Sequence, residues 1–374
     1  MSKRKYFAIG SFNFGVQKKP PFKFSGSEYI SELEKQLSNI PNLTELIIQT
    51  DDEFPTYNEQ ITKKTVNIQK DKGSFPGALI LDISFNLHIP FKKQAKLKGV
   101  KKRRLRTYTE DFNIKISSNF YVPVAIIESL NPTENTDPST AVQLVREYLK
   151  KEFKKSKHEY IRFEYLGPSP FHLDCFLIPK KDDERDWFFE TDEFIQKGYN
   201  KLTVYYNKKE FQNADEAMEF FSESIVDEFG FYYAYQQGRV SKMREWHKIQ
   251  KNVHKLLKIE KSKGIVGVYK KFFQRQGLIG KLFIGLATFE GQSIFDNNFY
   301  HNNYSQTFLI DEDVYFKKFI DKEMEENQDY PIKQTTELLN FLESRRVKSV
   351  ELTMAIIAAI VGGAIGSLIT IYFQ

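Results

Sequence analysis

Lys92, Lys93, Lys96, Lys98, Lys101, Lys102, Arg103, Arg104 and Arg106 fall within fifteen residues that contain no acid. Such a run is a footprint for polyanions, because each phosphate contact also releases condensed counterions. Phe91 and Tyr108 flank it and could stack on bases, as aromatics do in single-strand binders. Two other readings stay open: a solvated flexible loop, and a patch for acidic lipid headgroups.

A second constellation could do acid–base or metal chemistry. Tyr160 to Leu166 and Phe171 to Ile178 read as a hairpin around Gly167-Pro168-Ser169-Pro170. Period two puts Arg162 and Glu164 on one face of the first strand and His172 and Asp174 on one face of the second. A membrane-tethered nuclease or hydrolase could use Glu164, His172 and Asp174. The bland alternative is a solvated sheet face. Phosphate-loop, zinc-protease and nucleophile-elbow motifs are absent: Gly277-Leu278-Ile279-Gly280-Lys281 lacks the required spacing, and His247 and His254 read as surface residues. No cofactor and no metal site is expected.

The elements that must position these residues are strands first and helices later. Leu81, Ile83, Phe85, Leu87 and Ile89 alternate with polar residues, as do Phe112, Ile114 and Ile116, which predicts a hairpin carrying the basic run at its tip. Helices are expected over about 28–37 and from Ser139 to about Lys155. From about residue 211 the spacing turns helical, with 297–306 read as a polar, aromatic loop and one more helix running on from Pro331. The resulting fold class is α+β: a β-rich ligand-binding domain of antiparallel hairpins (1–210), a helical coupling or oligomerisation region (211–330), and a linker plus one C-terminal transmembrane helix (331–374).

That last expectation rests on Leu352 to Phe373, twenty-two residues without a charge. As a helix they would span about 33 Å, enough for a hydrocarbon core of about 30 Å. Arg345, Arg346 and Lys348 precede the run, so the positive-inside tendency places the N-terminal bulk in the cytoplasm of a single-pass protein. Ala355, Ala359, Gly363 and Ser367 form one small-residue row, and Ala358, Gly362, Gly366 and Thr370 the next, a pattern that favours helix association in lipid. The lone Cys175 excludes an intrachain disulfide and a cysteine-based zinc site. Net charge is a mild +6 and aromatic content is 15%, which implies aromatic-rich cores.

In layout, in the Lys92–Arg106 cluster and in the two small-residue rows, the chain resembles the HalA-like membrane effectors of the bacterial Hailong anti-phage system. The resemblance implies an oligomeric ion channel whose cytosolic domain binds a single-stranded DNA oligomer as gating ligand; the basic run also admits a nucleotide ligand, and the small-residue rows suggest a homo-tetramer. The leading expectation is therefore a non-enzymatic, ligand-controlled membrane effector; a tail-anchored scaffold is a third reading.

Overall fold

The computed structural model describes residues 4–16, 25–50, 81–101, 109–118, 122–155, 160–167, 173–180, 188–196, 199–308, 314–325, 329–345 and 358–359. The strands are β1 (Lys5–Gly10), β2 (Phe12–Val16), β3 (Leu43–Thr50), β4 (Leu81–His88), β5 (Asp111–Ser118), β6 (Val124–Ser129), β7 (Ile161–Tyr165), β8 (Leu173–Lys180), β9 (Phe189–Gln196) and β10 (Tyr199–Asn207). The helices are α1 (Gly26–Ser38), α2 (Phe91–Lys98), α3 (Ser139–Lys155), α4 (Ala214–Ser224), α5 (Val226–Lys261), α6 (Gly264–Phe273), α7 (Arg275–Phe308), α8 (Lys317–Glu325) and α9 (residues 332–345). The chain is α+β, with a β-rich N-terminal half and a helical C-terminal region.

Eight strands form one sheet in the order β3-β4-β5-β6-β1-β8-β10-β9, and β2 pairs with β7 in a separate ladder. Neighbours are antiparallel except β8 and β10, which run parallel. Period two splits the sheet between two cores. Ala8, Ala125, Ile127, Phe85 and Ile114 point into a core shared with α1, α3, β2 and β7. Phe7, Ile9, Ile126, Cys175, Leu177 and Val204 point the other way, into an aromatic-rich core with α4 and parts of α5, α7 and α8.

Local chemistry sets the helices of the first core. Ser25 and Glu28 close a capping box at the start of α1. The N-terminus of α3 is capped from the sheet, because the Ser139 amide donates to the Asp174 carboxylate at 2.8 Å. In α3, Ala141, Val142, Leu144, Val145, Tyr148 and Leu149 are buried at helical spacing. It lies so close to β1 that a Cβ on Gly10 would come within 2.9 Å of Val142. Similarly, a Cβ at Gly238 on α5 would meet the Tyr300 hydroxyl at 2.0 Å, so this mid-helix glycine permits the contact with α7.

The chain divides into two compact units, Met1–Ser241 with Phe299–Glu326, and Lys242–Asn298 with Asn327–Gln374. Within the second, Trp246, Leu256, Leu282, Phe289 and Leu339 centre a core of their own. There buried Arg275 pairs with Glu260 at 2.6 Å and donates to the Leu342 carbonyl.

Three expectations need correcting. First, among the described residues no helix is long and apolar enough to cross a membrane. A span needs about 20 mostly apolar residues, and the long α7 carries Arg275, Lys281, Glu290 and Asp296. Of the 352–373 run only Ala358 and Ala359 are described, both helical and exposed; Ala355, Gly362, Gly363, Gly366, Ser367 and Thr370 lie outside the described residues. The transmembrane part of the fold class and the single-pass, cytoplasmic-N-terminus placement are withdrawn with it. Second, β7 and β8 are not a hairpin: β7 pairs with β2, and β8 with β1 and β10. Third, residues 297–306 are helical. Tyr300, Tyr304 and Phe308 recur every fourth residue and set their rings 6.4, 6.0 and 5.4 Å from Phe231, an aromatic stripe that outweighs the helix-averse asparagines around it.

Glu228 on α5 is nearly fully buried, and its carboxylate accepts from the amides of Tyr315 and Phe316 at 3.0 and 2.6 Å, just before α8. Burial pushes its pKa up from 4.5 to about 8, against those two bonds. A raised carboxyl stabilises the fold fully below the unfolded value, and that contribution is lost as pH climbs toward the folded value. Relative to Glu228→Gln, the wild type should therefore lose stability between about pH 5 and about pH 8.5 in urea unfolding. A difference that is flat or rises with pH would contradict the assignment.

Candidate polyanion-binding surface

The expected hairpin forms, with β4 and β5 paired from Leu81↔Ser118 to His88↔Asp111. Its connection is not a bare loop, because Phe91–Lys98 folds as α2. Pro90 leads into the helix, and the Phe91 amide donates to the Glu110 carboxylate. The buried Gln94 amide donates to the carbonyls of Ile89 and Thr109 at 2.8 and 2.7 Å. Gly99, with φ 64°, closes the helix in the left-handed region that glycine tolerates best. Polar bonds from Phe91 and Gln94 thus fix the first turn of α2 against the rim of the sheet.

Lys93 is the residue that ties α2 to α3. Its ammonium lies 3.1 Å from Glu152 and 4.1 Å above the Tyr148 ring, while Lys155 reaches the same carboxylate at 2.9 Å. The Glu152 side chain is only 6% exposed, so it is committed to these two cations. Burial opposes both charges, yet bonds to Tyr148 and Glu152 hold Lys93 above its usual range. Bonds from Lys155 and Lys93 hold the Glu152 carboxyl below the usual carboxylate range.

That contact gathers cations which sequence reasoning kept apart. Lys92, Lys96 and Lys101 are exposed on the α2 side, and Lys154 and Lys155 are exposed on the last turn of α3, with Lys151 half-exposed. Lys151 and Lys155 follow Tyr148 by three and seven residues, so they share the side of α3 that meets α2. The signal was present as the Lys150-Lys151-Glu152-Phe153-Lys154-Lys155 run, which reads on its own as an ordinary solvated helix end. Beside the pair a cleft of about 220 Å³ opens between the end of α1 and α3, lined by Gln36, Asn39, Pro41, Phe153 and Lys155 among others.

The remaining candidates fall as follows. Lys98 is half-buried on α2; Lys102, Arg103, Arg104, Arg106 and Tyr108 lie outside the described residues. Glu164 is buried on β7, accepting from Asn13 at 3.1 Å and pairing with Arg162. Asp174 sits on β8 in the other sheet, where burial pushes its carboxyl up against its bonds from Ser139. His172 lies outside the described residues. The acid–base set is therefore not assembled by the strand pairing that was expected to join it. Among the described residues no cluster of three His, Cys, Asp or Glu could hold a metal. His247 and His254 are exposed, and Cys175 is buried with its thiol pushed well up by desolvation. Comparison with protein-family models, curated proteins and solved structures finds no match to this chain.

The division of labour among these lysines is measurable. Lys93→Ala should cost about 1–3 kcal/mol, because it strips a partner from a nearly buried carboxylate. Lys92→Ala and Lys96→Ala should stay within about 0.5 kcal/mol of wild type. Equal losses in all three by urea unfolding would deny Lys93 its structural role.

Proposed function

We propose that this protein is a non-enzymatic binding protein whose β-rich unit takes an oligonucleotide along α2 and the last turns of α3. The observation that carries the reading is the Lys93–Glu152–Lys155 pairing. It uses one buried acid internally, while Lys92, Lys96 and Lys101 on the α2 side and Lys154 on the last turn of α3 are exposed and Lys151 half-exposed. Cations on two rigid helices track a phosphate backbone better than a loop does, since less side-chain and backbone freedom is lost on binding. The cleft beside Phe153 gives the surface a concave edge next to Lys155, where one base could leave the strand. The Hailong resemblance points to the same ligand class, and its membrane half is set aside with the spanning helix.

The test is fluorescence anisotropy of a labelled single-stranded oligonucleotide titrated with the full chain across a salt series. Lys92→Glu with Lys96→Glu, and separately Lys151→Glu with Lys154→Glu, should each weaken binding by about tenfold or more at low salt. Each pair should also flatten the slope of log K against log salt by about one to two units. Melting temperatures should hold, since these side chains meet solvent. Unchanged affinity and slope in both variants would place the ligand elsewhere.

A further inference from the structure

Helix α6, in the second unit, leaves its apolar side uncovered. Ile265, Val266, Tyr269 and Phe273 are 91%, 64%, 58% and 65% exposed. At 100° per residue they fall within one arc of about 100°, a continuous apolar stripe. The rings of Tyr269 and Phe273 pack on each other at 4.8 Å. Its surroundings are basic: Lys261 and Lys263 precede it, Lys270 borders it about 40° beyond Val266, and Lys281 follows. No acid occurs from Lys261 to Phe289.

We infer that α6 docks this unit onto a lipid bilayer surface bearing anionic headgroups. Three features select that occupant. The stripe carries cations at its N-terminal end and along one border, so its partner must be both apolar and negatively charged, as the headgroup–acyl boundary of an acidic leaflet is. Two copies of α6 face to face would set Lys263 and Lys270 against their like, which opposes self-association. The apolar side chains protrude instead of lining a groove, and a fluid leaflet accepts protruding side chains without a matching cavity. At ten residues, about 15 Å, the helix is far too short to span. It lies on the surface, with its stripe down and its lysines at the phosphates. This inference stands apart from the oligonucleotide surface, which belongs to other residues.

The experiment is sedimentation of the full chain with vesicles of phosphatidylcholine, with and without phosphatidylserine. The wild type should pellet with the phosphatidylserine vesicles and remain in solution with phosphatidylcholine alone. Ile265→Asp with Phe273→Asp should reduce the partition coefficient about tenfold or more. Lys263→Glu with Lys270→Glu should reduce it most at low salt. The Ile265→Asp/Phe273→Asp protein should keep the wild-type oligonucleotide affinity, which separates failure here from failure of the oligonucleotide reading. The milder Ile265→Ser with Tyr269→Ser should fall in between, and circular dichroism should match wild type throughout. Three results would each overturn the inference: no pelleting with acidic vesicles, full pelleting of the Ile265→Asp/Phe273→Asp protein, or light scattering that shows this pair abolishing a self-association of the wild type.

Discussion

Strand β1 has to be buried on both faces, and that constraint organises the β-rich unit. Phe7 and Ile9 face one core while Ala8 and Gly10 face the other. A small residue on the α3 side lets the helix approach closely, and large residues on the opposite side fill a wider, aromatic space. With α3 drawn onto β1, its Tyr148 and Glu152 come to the rim where α2 leaves the sheet. The Lys93 contact follows from that placement. A basic surface spanning two helices is thus a consequence of how tightly the central strand packs.

The buried acids show the same economy. Asp174 caps α3, Glu228 holds the amides ahead of α8, and Glu164 is bonded to Asn13 and Arg162. Each carboxylate is satisfied by groups that fix one element to another. Buried acids are cheapest to keep when hydrogen bonds complete them, and here that completion occupies the atoms a catalytic role would need free.

Much of the fold was legible wherever its cause was local. The β4 and β5 alternation and the helices expected over about 28–37 and from Ser139 to about Lys155 rest on short-range signals, and the corresponding elements appear. Non-local pairings were not legible. Nothing near Glu164 indicates that its strand pairs with Asn13 and its neighbours, about 150 positions earlier in the chain. Helix α2 was hidden because Gln94 and Thr109 stabilise it only once the hairpin has formed. For the site, the Lys92–Lys101 half was visible as charge density. The α3 half was not, since its meaning depends on which helix lies beside it. The apolar run after Lys348 was legible as hydropathy alone, and the described helices do not extend it into a span.

The central claim is that α2 and α3 form one anion-binding surface. Lysine acetylation footprinting by mass spectrometry, with and without a single-stranded oligonucleotide, tests it most directly. The account requires Lys92, Lys96, Lys151 and Lys154 to be protected together at low salt and released together at high salt, as counterion-linked contacts are. Lys270 and Lys271 should react equally in both conditions. Protection confined to one of the two helices, or appearing on α6 instead, would contradict it.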